Sequence, residues 1–149
     1  MSLGARWRTY RALEARERRL FWHALALVPA MHVLVRVVGF NRLQRRVGAR
    51  APVASRSPLT PLDARRLCTL AVSRVKYHSP LRGNCLSQSL ALVWLLRREG
   101  LTPTLRLGVR LQDAKFDAHA WVEDEGRVLN DTPDVHTRFA PLTGRTGTP

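Results

Sequence analysis

Three side chains in this sequence are of the types that cysteine-based acyl transfer needs: Cys85, His119 and Asp131. An imidazole that takes a thiol proton, with a carboxylate holding the ring in the required tautomer, turns a cysteine into a nucleophile toward a carbonyl carbon. Cys85 falls at the predicted first turn of a helix, where the dipole and free backbone N–H groups stabilise a thiolate. Its own backbone N–H is then the expected oxyanion donor, with Asn84, Gln88 and Trp121 as candidate side chains toward oxyanion or substrate. The second cysteine, Cys68, lies mid-helix in an apolar stretch and reads as packing, the commoner fate of a free cysteine.

Turn chemistry predicts the histidine–aspartate pair. Asp124-Glu125-Gly126 reads as a three-residue hairpin loop with Gly126 in its left-handed position, which sets Glu123 opposite Arg127. Trp121 then faces Leu129 and His119 faces Asp131, and directly opposite side chains lie about 4.5 to 5.5 Å apart at Cβ. A cross-strand His–Asp pair can also do no more than stabilise a hairpin. The conjunction of that pair with a helix-start cysteine favours catalysis. Among the remaining histidines, His23 and His32 sit on an apolar helix and read as partly buried residues. Cysteine and histidine spacing fits no zinc site and no glycine-rich phosphate loop is present, so no metal and no cofactor are expected.

The elements that must position these residues are helices followed by an antiparallel sheet, an α+β arrangement. Leu3, Trp7, Tyr10, Leu13, Leu20 and Phe21 recur three, four or seven apart with Arg6, Arg8, Arg11, Arg16, Arg18 and Arg19 between them, an amphipathic helix. Leu20 to Val38 is apolar and of nearly membrane-spanning length, but His23, His32, Arg36 and Pro29 favour a core helix kinked or broken at the proline over peripheral membrane contact. Gly48 to Pro61 has the composition of a connector. Thr60-Pro61-Leu62-Asp63 starts a helix over about residues 61–76. His78 to Gly83 is a turn, and a further helix runs from Asn84 and Cys85 to Gly100. Period-two patterning marks a strand from Leu105 to Leu111, with others over Ala118 to Glu123 and Arg127 to Asp131. The expected organisation is a basic helical docking segment (1–50), a linker (51–60) and a core (61–149).

With 149 residues, 45% hydrophobic and 24% charged, the chain suits one compact domain rather than a multidomain machine, and repeat or low-complexity architectures fail. Two cysteines cannot build a disulfide scaffold. With no secretory signal pattern, a reducing bacterial cytoplasm is the expected compartment. The net charge of +14 belongs to one half: residues 1–84 carry 17 Lys or Arg against three acids, whereas residues 85–149 carry eight of each. Such a half seeks an acidic partner, and Arg16, Arg18 and Arg19 are candidate docking residues.

The runs Asn84-Cys85-Leu86-Ser87-Gln88-Ser89-Leu90-Ala91-Leu92, Leu107-Gly108-Val109, Phe116-Asp117-Ala118-His119-Ala120-Trp121-Val122-Glu123 and Val128-Leu129-Asn130-Asp131 resemble the lasso-peptide leader peptidases. These are stand-alone relatives of the C-terminal half of the microcin-maturation B protein, within the transglutaminase-like cysteine protease superfamily. The resemblance covers roughly residues 60 to 142, including Phe139-Ala140-Pro141-Leu142, and the spacings of 34 residues from Cys85 to His119 and 12 to Asp131 are similar to the family pattern. Gln88 departs from a basic residue in many relatives, which bears on leader contacts near the helix start.

The resemblance implies a papain/transglutaminase-like core whose Cys-bearing helix packs on an antiparallel sheet. It also implies a peptidase that frees the core of a lasso-peptide precursor from its leader, with a small leader-recognition protein and a macrolactam cyclase as partners. Two rivals stand beside it. A transglutaminase-like acyltransferase would use the same triad with an amine as acceptor. A non-enzymatic basic module would bind nucleic acid or an anionic membrane through residues 1–50, where 11 arginines oppose two acids, but it leaves the Cys–His–Asp pattern unexplained, so no nucleic-acid partner is expected.

Overall fold

The computed structural model describes residues 14–49, 59–78, 83–112 and 115–142. The amphipathic pattern over residues 1–13, most of the connector and the centre of the 78–83 turn lie outside them. The elements run α1 (Ala15–Val38), α2 (Phe40–Ala49), α3 (Pro61–His78), α4 (Cys85–Arg98), β1 (Thr104–Gln112), β2 (Lys115–Asp124), β3 (Arg127–Val128), α5 (Val135–Arg138) and β4 (Ala140–Pro141).

Helix α1 is continuous, which corrects two expectations: no boundary falls at Leu20, and Pro29 does not break the helix. A helix-interior proline forfeits a backbone bond at about 3 kcal/mol. Leu20, Ala24, Val28 and Met31, one face at helical spacing, sink into the core on both sides of Pro29 and hold the helix together. By length and composition α1 can also cross a membrane, and its outer face exposes Trp22, Val33 and Val37. Gly39, at φ 84, ends it. The chain turns into α2, an element not foreseen, which buries Leu43 and Val47 and exposes Arg42, Arg45 and Arg46.

Helix α3 starts where its sequence says, with the Thr60 hydroxyl accepting from the Asp63 N–H at 3.2 Å. Its buried face, Ala64, Cys68, Ala71, Val72 and Val75, meets α1 and α4. One hydrophobic cluster joins these residues to Leu90, Leu92 and Leu96 of α4 and to Leu105, Ala120 and Val122 of the sheet. Leu20, Ala24, Val28, Met31, Leu43 and Val47 from residues 15–49 belong to the same cluster.

The sheet has the order β3-β2-β1-β4, antiparallel throughout. Leu105 and Leu107 of β1 pair with Val122 and Ala120 of β2 on the helix-covered face. The opposite face carries Gly108 paired with His119 and Arg106 paired with Trp121. There Trp121, Val135 and Phe139 form a second small core under α5.

The β2–β3 hairpin differs from expectation by one residue. Asp124 pairs with Arg127 and Glu123 with Val128. The turn is the two-residue Glu125-Gly126, with φ of 48° and 74°. Positive φ at both positions defines the turn whose twist suits a tight hairpin, and a non-glycine residue enters that region at a cost. Arg65 offsets it by pairing with Glu125 at 2.7 Å and Asp124 at 2.6 Å.

Candidate active site

The shifted register alone would put His119 opposite Thr132. It does not, because β3 leaves the ladder after Leu129. The Leu129 N–H still donates to the Val122 carbonyl at 2.9 Å, but the Val122 N–H turns to the side-chain Oδ1 of Asn130 at 2.8 Å. Asn130 thus stands in for a backbone carbonyl, the chain bends, and the Asp131 carboxylate meets His119 through Oδ2 and Nε2. The expected pair exists for a reason other than the expected one.

Asp131 accepts more than this bond. The Thr132 N–H donates to Oδ1 at 2.7 Å and Arg138 Nη2 to the same oxygen at 2.5 Å. Burial alone would raise this carboxyl's pKa, but the hydrogen bonds from Thr132, His119 and Arg138 prevail and bring it down to about 2. An ionised carboxylate only accepts, so Nε2 of His119 carries the hydrogen and Nδ1 is the basic nitrogen. The ring is braced by Phe139, stacked with centroids 4.9 Å apart, and by Trp121 at 6.2 Å.

Cys85 is the first residue of α4, half-buried, behind an Asn84 cap. Asn84 Oδ1 accepts from the Ser87 N–H at 2.9 Å, and Ser87 Oγ accepts from the Asn84 N–H at 3.0 Å. The cap leaves the N–H groups of Cys85 and Leu86 outside it, where a helix offers donors to an anion. One turn further along, Ser89 Oγ donates to the carbonyl of Ala120, the neighbour of His119, at 3.0 Å. The fold thus joins His119 to Asp131 directly and ties the Cys85 helix to the strand beside them.

The other candidate residues divide. Asn84 spends its side-chain oxygen on the cap, and Gln88 is buried one turn inside α4. Trp121 is corrected: it is fully buried and its indole N–H donates to Glu123 Oε1 at 2.7 Å, so it braces His119 and has no donor for an oxyanion. Period two placed it beside His119, but α5 and Phe139 roof that face. Arg16 pairs internally with Glu99 at 3.3 Å, Arg18 is half-buried, and Arg19 is exposed. Cys68 is wholly buried, and burial first, then the nearby Glu99, push its thiol up to about 12. Among the described residues, no group of three or more His, Cys, Asp or Glu side chains gathers to hold a metal ion. Sequence reasoning gave no role to Ser89, Asn130 or Arg138, although Ser89 and Asn130 lie within the runs that carry the family resemblance.

A helix opened by a cysteine, laid against an antiparallel sheet that presents a histidine bonded to an aspartate, is the arrangement of a papain-like or transglutaminase-like protein. The model of the transglutaminase-like superfamily matches residues 24–144, and the chain belongs to that superfamily. It is also similar to the microcin J25-processing protein McjB of Escherichia coli, with 36% identity over 61 residues. That match covers 41% of this chain and 28% of the relative's length. No solved structure matches.

Proposed function

We propose that this chain is a cysteine peptidase that removes the leader from a ribosomally made lasso-peptide precursor in the reducing bacterial cytoplasm. The observation that carries the reading is the His119–Asp131 pair beside the strand position to which the Cys85 helix is bonded. Superfamily membership and a relative named for processing a microcin support it.

In this reading Nδ1 of His119 takes the Cys85 thiol proton, and the sulfur attacks the carbonyl carbon at the leader–core junction. The oxyanion so formed is met by the Cys85 N–H. The C–N bond breaks, the imidazolium returns its proton to the departing amine of the core, and the leader remains as a thioester. Water, deprotonated by His119, then releases the leader carboxylate and the thiol. Asp131 stays ionised throughout and holds the ring. The freed core amine is the group a macrolactam cyclase needs, and a small leader-binding protein would deliver the precursor.

The test is cleavage of a cognate precursor by the full chain together with its leader-binding protein, followed by mass spectrometry. Cys85→Ala and His119→Ala should abolish it, and Asp131→Ala, which leaves the Nε2–H of His119 without its acceptor, should lower the rate by orders of magnitude. Full cleavage by Cys85→Ala would refute the reading.

A further inference from the structure

We propose that Ser89 and Asn130 are positioning residues that lock the helix carrying Cys85 in register with the strand and bend carrying His119 and Asp131; the proposal rests on the peptidase reading above. Where β3 leaves the sheet, β2 is left with an N–H on Val122 and a carbonyl on Ala120 that a longer β3 would have bonded. Two side chains take over. Asn130 Oδ1 accepts from Val122, and Ser89 Oγ donates to Ala120 while accepting from Asn130 Nδ2 at 2.9 Å.

The serine hydroxyl has one proton and spends it on Ala120, so the amide of Asn130 is the donor it receives. Ser89 is fully buried among apolar residues, where an unmade hydrogen bond is expensive and a made one is directional.

Each member of this chain is tied by the backbone to one member of the candidate triad. Ser89 lies one helical turn from Cys85, Ala120 follows His119, and Asn130 precedes Asp131. Leu90 and Ala91 of α4 also share a hydrophobic cluster with Ala120 and Val122 of the sheet, and apolar packing of that kind is non-directional. The Ser89–Asn130–Ala120 bonds are directional and fix α4 against β2, and with it the placement of Cys85 relative to His119. A misplacement of about 1 Å in such a constellation costs on the order of 10²-fold in rate.

The experiment follows alkylation of Cys85 by a small neutral reagent in the full chain, read by mass spectrometry, alongside the unfolding temperature. The parent, His119→Ala, Ser89→Ala, Asn130→Ala and Val75→Ala are compared. Val75 is fully buried in α3 and belongs to none of the Ser89–Asn130–Ala120 hydrogen bonds, so its truncation destabilises the core while leaving the groups of the lock in place. The expected result is a His119-dependent labelling rate in the parent that falls on the order of tenfold in Ser89→Ala and Asn130→Ala. Val75→Ala should keep the parent rate despite a lowered unfolding temperature, and adding Ser89→Ala to His119→Ala should change labelling no further. Asn130, half-buried at the sheet edge, supplies the readout if Ser89→Ala does not fold. Parent-like labelling in the folded lock variants beside a His119-dependent parent overturns this proposal alone. A parent whose labelling ignores His119 overturns the peptidase reading and this one with it.

Discussion

Arg138 donates to the carboxylate oxygen of Asp131 that His119 leaves unused. Its Nη2 lies 2.5 Å from Oδ1, whereas the imidazole meets Oδ2. The guanidinium also bonds Asp134 at 3.1 Å and lies over the Phe139 ring, itself stacked on His119. The short helix α5 therefore holds both the carboxylate and the ring that braces the imidazole. A carboxylate gripped at both oxygens cannot rotate, and its partner ring is confined to one tautomer.

The acid limb of stability should show this grip. The folded carboxyl of Asp131 titrates near 2 against 3.8 for an unperturbed one. A depressed carboxylate stabilises the fold fully above the unfolded value, and the contribution disappears as pH falls through the folded value. Unfolding measured from pH 5 down to pH 2 should lose stability more steeply in the parent than in Asp131→Asn. Parallel curves would contradict the assigned hydrogen bonds.

Removing the guanidinium should be visible on the same carboxyl. In Arg138→Gln, Asp131 keeps the bonds from Thr132 and His119 but loses a charged donor, so its titration moves up toward the ordinary carboxylate range. Carbon-detected NMR of the Asp131 side chain reports the midpoint directly. An unchanged midpoint would mean that Arg138 serves Asp134 alone.

Gly108 tests the bracing of the imidazole. A Cβ there would lie 2.8 Å from Phe139 Cβ and 2.9 Å from two atoms of the Trp121 ring, and a Cβ contact under 3.0 Å forces a shift. Gly108→Ala should therefore destabilise by about 1–3 kcal/mol, the range for overpacking a tight core. Thermal unfolding gives the cost. Phe139→Gly in the same chain removes the Cβ that is the nearer obstacle, so the two substitutions together should cost less than their sum.

Helices α3 and α4 and strand β1 are legible because their signals are local: period-two apolar residues mark β1, and the Thr60-Pro61 and Asn84 caps mark two helix starts, whereas α2, α5 and β4 carry no such signal. The hairpin was misread by one residue because Glu125, not glycine, takes the first left-handed position, and Arg65, 60 residues upstream, makes that tolerable. The candidate His–Asp pair was still found, since Asn130 drops one residue from the ladder and cancels the error. No local pattern announces that substitution of a side chain for a carbonyl. The continuity of α1 through Pro29 was hidden likewise, because burial of Val28 and Met31 against other helices decides it. Arg16 and Arg19 looked equivalent in sequence, and only tertiary contact with Glu99 separates them.

That separation yields a prediction about docking. Arg16 ties α1 to the end of α4 through Glu99, with side chains only 25% and 13% exposed, while Arg19, Arg42 and Arg46 face outward. Reversing Arg16 sets two carboxylates against each other beside the buried Cys68, so Arg16→Glu should lower stability by about 1 kcal/mol or more. Arg19→Glu, alone or with Arg42→Glu and Arg46→Glu, should leave unfolding within about 0.5 kcal/mol of the parent, as surface substitutions do. If the basic face receives the leader-binding protein or the precursor, the triple variant should slow partner-dependent cleavage, with the deficit largest at low salt and vanishing at high salt, because exposed charge attraction is screened beyond about 8 Å at physiological ionic strength. Cleavage by the triple variant at the parent rate across that salt range would move docking off this face and onto the exposed apolar side of α1, where Val33 and Val37 offer contacts that salt does not weaken.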